Sequence, residues 1–219
     1  AGARHLLRTG RSRGRRRHLR EERVPVLDLV DASLLPALVV TVAPARLEDV
    51  ADEVAGNHAP DDLVVDELAL AESIERSLAL HPWAHDLRAL VVRTAPGHVR
   101  RRERFSSTNP PYFSVDAALL ARERGFAHLV VDLPSLDRED DGGLLGAHRA
   151  FFDLVPRQRT LAGRPAPKRT ITELAAVDAA IDDGAYALSL QLSPIAADAV
   201  PSRPILFPLV AATPSWLRP

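Results

Sequence analysis

LRALVVRTAPGHVRRRERFSSTNPPYFSVDAALLARERGFAHLVVD, running from Leu87 to Asp132, is the stretch that decides the fold class. Its first piece, LRALVVRT (Leu87 to Thr94), is a short apolar run rich in β-branched residues, the pattern of a buried strand. Its last piece, AHLVVD, has the same character. Between them Ser114 is placed to cap a helix whose apolar face would be Val115, Ala118 and Leu119 and which would stop at Gly125. Strand, helix and strand in that order argue for an α/β fold and against an all-β one. The Pro, Gly, Arg, Ser and Asn-rich run that reaches Pro111 is too long and polar for a simple turn, and loops of that kind in compact domains tend to carry function.

Reading outward, VPVLDLVD (Val24 to Asp31) and ALVVTVAP (Ala37 to Pro44) have the pattern of two more buried strands. Asp66 to Leu80 spaces Leu68, Ala71, Ile74, Ser77 and Leu78 by three and four residues, which predicts an amphipathic helix. Downstream, TITELAAV (Thr170 to Val177), AYALSLQLS (Ala185 to Ser193) and PILFPLVA (Pro204 to Ala211) predict three strands. In contrast, Arg4 to Arg23 (RHLLRTGRSRGRRRHLREER) is arginine-rich and has no period that would bury a face. The expected organisation is therefore a basic, unstructured segment over residues 1–23 and one domain over 24–219.

Composition removes several classes of function. A hydrophobic fraction of 46% with 26% charged residues is that of a globular chain and not of a disordered one. The formal charge of -1 gives no overall field toward nucleic acid or anionic lipid. With no cysteine, disulfides, thiolate nucleophiles and Cys-ligated zinc are excluded, so a metal would sit on His, Asp or Glu. No apolar run approaches the roughly 18–20 residues that cross a bilayer, which makes the cytoplasm the default expectation. The chain has no methionine, and Ala1 reads as the cut edge of a fragment.

Three polar clusters stand at strand ends: Thr108-Asn109-Pro110-Pro111-Tyr112; Asp132-Leu133-Pro134-Ser135-Leu136-Asp137 with Gly142, Gly143 and His148; and Thr170-Ile171-Thr172-Glu173. The string VDLPSLDREDDGGLLGAHRAFF, then TITEL, then LSLQLSPIAADAVPSRPIL resembles the cyclase family that includes bacterial kynurenine formamidase and isatin hydrolase. The resemblance is strongest over residues 107–208. It implies a swivelling β/β/α domain with a mixed sheet and flanking helices, and hydrolysis of an amide or imide C–N bond with zinc or manganese. By position it assigns His148 and Glu173 as catalytic, and His5, His18 and Glu173 as metal ligands. Asn109, Tyr112 and Asp132 would shape the substrate pocket, although Asp132 and Asp137 also read as caps of the turn around Pro134. The implied partners are a small amide or imide substrate and further copies of the chain in a homo-oligomer, with no membrane.

The family's N-terminal metal signature, H-x-G-T-H-x-D-x-P-x-H, is not in this sequence. Gly2-Ala3-Arg4-His5 matches its G-T-H portion in part, and His18 could take the place of its last His. The carboxylate between them is missing, and seven of the eight residues from Gly10 to Arg17 are Arg or Gly. Two readings stay open: Leu6 to Arg17 is translated out of frame, or it is a genuine basic arm. A nucleic-acid role for such an arm is not expected, because no aromatic residue is interleaved to stack on bases.

Overall fold

The computed structural model describes residues 3–6, 24–95, 104–155 and 167–209. The apolar runs form strands buried on both faces. β2 (Leu35–Val42), β5 (Ala89–Thr94), β7 (His128–Val131) and β8 (Thr170–Glu173) lie parallel and adjacent, in that order. The sheet continues from β2 through antiparallel β9 (Gly184–Leu192) and β10 (Ala199–Pro208). β1 (Ala3–Leu6) pairs antiparallel with both β10 and β8 and closes the sheet into a barrel. A small second sheet joins β3 (Ala45–Arg46), β4 (Leu63–Val65) and β6 (Tyr112–Phe113).

Because side chains alternate along a strand, the parallel run supplies two cores. Leu35, Ala37, Val39, Ala89, Val91, Val130 and Leu188 fill the barrel. Leu38, Val40, Leu90, Val92, Leu129 and Ile171 face the other way, against α1 (Glu67–Ala79), α2 (Val115–Glu123) and α3 (Gly146–Phe152). The fold is thus α/β, a mixed sheet with flanking helices, as expected. Closure by β1 was not. Residues 3–6 belong to a segment expected to be unstructured, yet they are a barrel strand; the remainder of that segment, 7–23, lies outside the described residues.

Several local expectations need correction. Val24 to Asp31 is not a strand: Pro25 precedes a 3-10 helix over Val26–Leu29 that buries its two ends, Val26 and Leu29, a three-residue spacing that suits one turn of helix. Asp66 caps α1 by accepting from the Ala69 amide at 2.9 Å, but the buried face is Leu70, Ser73, Ile74 and Ser77 while Leu68 is 67% exposed. The rotation has a polar cause. The Ser73 and Ser77 hydroxyls each donate at 3.0 Å to strand carbonyls, of Thr41 and Val39, so Ser77, expected on the inner face, and Ser73, which was not, together dock the helix on β2. Ser114 caps α2 as expected, through the Ala117 amide, with Ala117, Ala118 and Ala121 as its buried residues. β8 is shorter than TITELAAV suggests, because Leu174 turns to φ 58°. No helix among the described residues is long and apolar enough to cross a membrane.

One close approach ties the loop before β4 to the loop before α3. Gly56 has φ +80°, and a Cβ there would lie 1.9 Å from the Asp141 carbonyl oxygen. Backbone cannot yield as a flexible side chain would, so Gly56→Ala combines a left-handed penalty with a clash. We expect it to lower unfolding free energy by about 2–4 kcal/mol, read from urea titration, whereas Gly125→Ala, with nothing near its Cβ, should cost only the left-handed term of about 1–2 kcal/mol.

Candidate active site

Glu173 ends β8 on the same face as Ile171, toward the helices, and its side chain is fully buried. α3 brings His148 to it from the other side. His148 is also fully buried, with its Nε2 3.4 Å from Glu173 Oε1. That separation is an ion-pair contact and not a well-formed hydrogen bond, consistent with Nε2 and Glu173 Oε2 both being buried without a hydrogen-bond partner. The other ring nitrogen, Nδ1, donates to Asp137 Oδ2 at 2.5 Å. Asp137 also accepts from the Ala147 and His148 amides at 2.7 and 3.3 Å. It therefore caps the start of α3 and orients the ring carried there. Leu136 N donates to Glu173 Oε1 at 3.2 Å.

The result is a buried Asp137–His148–Glu173 array. Burial alone would make the His148 cation costly, but its bond to Asp137 and the two carboxylate charges outweigh that and push its pKa up to about 10. Strain accompanies the array. Leu145, just before α3, and Leu174, just after Glu173, both hold left-handed backbone at φ 54° and 58°, a conformation that costs a leucine about 1–2 kcal/mol and that concentrates at functional sites.

The remaining sequence candidates lie elsewhere. Asn109 Nδ2 and Tyr112 OH donate to Asp62, at 2.7 and 2.9 Å, and Arg138 Nε donates to the same carboxylate at 2.8 Å. Burial would raise the Asp62 pKa, but the bonds from Arg138, Asn109, the Ala59 amide and Tyr112 hold it down at about 2. Burial, then the bond to Asp62, pushes the Tyr112 hydroxyl up, so it stays a donor. Asp132 accepts from both the amide and the hydroxyl of Thr94, tying the end of β7 to that of β5. A second fully buried histidine among the described residues, His128, bonds Thr170 Oγ1 at 2.9 Å at the opposite ends of the parallel strands. Burial, with help from the Arg88 charge, lowers its pKa to about 4 and keeps it neutral.

The metal assignment meets the structure in part. One imidazole nitrogen and one carboxylate oxygen without partners are suitable donors for zinc or manganese. A protein zinc site needs at least three ligands, and no group of three such residues occurs among the described residues. His18 lies outside them. His5 lies on β1, where the register sets it opposite Thr172 and sets Arg4 opposite Glu173.

Sequence reasoning treated Asp137 mainly as a turn cap and so missed its bond to His148. No family model matches the chain, and no curated protein does. Among solved structures the fold is similar to "The Structure Of Potential Metal-Dependent Hydrolase With Cyclase Activity", with a TM-score of 0.48 and 14% identity over 84% of this chain and 75% of that one. It is likewise similar to a "predicted metal-dependent hydrolase from Bacillus stearothermophilus" (0.48, 15%, 94% and 76%) and to isatin hydrolase A from Labrenzia aggregata (0.45, 12%, 78% and 60%). These are likenesses in the course of the chain; the roles of residues rest on the geometry above.

The raised His148 pKa carries a signed consequence for stability. The folded value, about 10, lies above the ordinary 6.5, so the contribution is complete below about pH 6.5 and is lost as pH rises through 10. With a chelator present, His148→Gln should destabilise the protein by about 3–5 kcal/mol at pH 6, the usual cost of breaking a buried pair, and by clearly less at pH 10.5. Urea unfolding of both proteins at the two pH values reads the difference.

Proposed function

We propose that this chain is built as a metal-dependent hydrolase of amide or imide C–N bonds, of the cyclase and arylformamidase type. The observation that supports the reading is the buried Asp137–His148–Glu173 array, with two unpartnered donor atoms at its centre. An unsatisfied buried polar group costs about 1–3 kcal/mol, a cost that a bound ion would offset. His148 and Glu173 would hold zinc or manganese, with a further ligand from residues 1–23, where His5 and His18 lie. When bound, the ion supplies Lewis acidity, which acidifies water and polarises a carbonyl.

The chain's own groups do the rest. Asp137 fixes the His148 tautomer with Nδ1 protonated, so that Nε2 is the atom that faces Glu173. Leu136 N holds one Glu173 oxygen and leaves the other to accept a proton from water or pass one to the leaving nitrogen. A ring that carries a proton at Nε2 cannot ligate, so metal uptake by His148 requires loss of that proton. The second reading is a non-catalytic remnant of the same fold that acts as a binding or structural subunit; the missing N-terminal carboxylate favours it, because that group would add negative charge to the site.

The test is stoichiometric metal content together with turnover of N-formylkynurenine and a small panel of cyclic imides. The chain as given should show little metal and little or no turnover. A version with a full H-x-G-T-H-x-D-x-P-x-H segment in place of Gly2 to His18 should gain both, and His148→Ala in that version should lose at least a hundredfold in turnover, the scale of an acid–base group. A repaired chain that binds metal and hydrolyses none of these substrates would refute the substrate class. One that binds no metal would favour the structural subunit.

A further inference from the structure

Asp62 is a fully buried carboxylate that the reaction does not touch. It gathers donors from three separate pieces of chain: the Ala59 amide at 3.0 Å, Asn109 Nδ2 and Tyr112 OH, and the Arg138 guanidinium. Arg138 directly follows Asp137, the partner of His148. Two residues earlier, Leu136 presents its amide to Glu173 and its carbonyl to the Phe113 amide at 2.8 Å. Phe113 is the neighbour of Tyr112. The segment Leu136 to Arg138 is thus held at one end by the Tyr112–Phe113 strand and at the other by Asp62, which also holds Tyr112.

Within that clamp lie the two groups that set the array, the Leu136 amide on Glu173 and the Asp137 carboxylate on His148. No regular element does this work, since 132–145 is a loop between β7 and α3. A second strap joins the same regions, Ser107 N donating to Glu139 Oε2 at 2.9 Å. Asn109 holds φ 49°, a left-handed backbone that asparagine tolerates better than most residues, and that turn accompanies its bond to Asp62.

We infer that Asp62 is a positioning residue for the Asp137–His148–Glu173 site, acting through Arg138 and Tyr112 to fix the backbone of residues 136–138. The inference rests on the reading of that array as the reacting centre. It assigns a task to the loop around Asn109 and Tyr112: these residues set the angle at which His148 and Glu173 meet, and they do so from a distance, by gripping Asp62.

The array has its own signature, because a charge-assisted bond from Nδ1–H to a buried carboxylate gives a proton far downfield in a proton NMR spectrum. Asp62→Asn keeps the shape of the side chain and removes the charge that Arg138 needs. It should abolish the downfield resonance or move it upfield in protein that is still folded by circular dichroism. Arg138→Lys keeps a cation but loses the guanidinium fork; it should give a smaller change in the same direction, and it serves if Asp62→Asn does not fold. Glu139→Gln, which weakens only the second strap, should leave the resonance in place. An unchanged resonance in folded Asp62→Asn, or in Arg138→Lys where that alone folds, overturns the inference. His148→Gln must remove the signal; if it does not, the array itself, and with it the functional reading, is wrong.

Discussion

A buried carboxylate has to be paired, and one short run of loop serves three of those this chain buries: Glu173, Asp137 and Asp62. Desolvation of a single such charge costs several kcal/mol after relaxation, far more than any local conformational preference in a loop. The path of the chain between β7 and α3 follows from that requirement. Leu136 offers its amide to one carboxylate, Asp137 is the second and meets His148, and Arg138 offers its guanidinium to the third. Three consecutive residues thus each take part in holding a different buried carboxylate. The apolar anchors Leu133 and Leu136, both without exposure, keep water from competing for those bonds.

Backbone strain is the counterpart of this electrostatic order. Leucine is a poor occupant of left-handed space, yet Leu145 and Leu174 both lie there. Neither is free to relax. Leu174 N donates to Leu133 O and Ala175 N to Val131 O, at 2.8 and 3.0 Å, and Arg149 N donates to Leu145 O at 2.9 Å. The strained turns thus end β8 at Glu173 and start α3 three residues ahead of His148. The two sharp changes of direction bring the carboxylate and the ring to the same place.

Much of the fold was legible, for physical reasons. A parallel strand buried on both faces has to be a continuous apolar run, and ALVVTV, ALVVRT and HLVV declare themselves as such. Asp66 and Ser114 announce helix starts because a capping oxygen is a local signal. What escaped depends on partners remote in sequence. The face of α1 was placed with Ile74 and Ser77 inside but turned toward Leu68, because Ser73 is polar by composition and buried by its bond to β2. The pairing of β1 with β8 and β10 has no local cause at all. In the site, His148 and Glu173 stood out through the family resemblance, whereas Asp137 looked like an ordinary turn aspartate and Asp62 carried no signal, since nothing in its neighbours Pro60, Asp61 and Leu63 tells a buried carboxylate from a solvated one.

The position of β1 has a consequence in time. It leaves a ribosome well before either of its partners, β8 (Thr170–Glu173) and β10 (Ala199–Pro208). Until those strands are made, Ala3–Leu6 lacks the partners it has in the barrel, while β2, β5 and β7 can already associate as their helices emerge. Barrel closure is therefore a late, long-range event of high contact order, and an open sheet with bare β8 and β10 edges precedes it. Such edges invite pairing with another nascent chain. The same strand that completes the sheet is thus the one whose absence would leave the molecule adhesive.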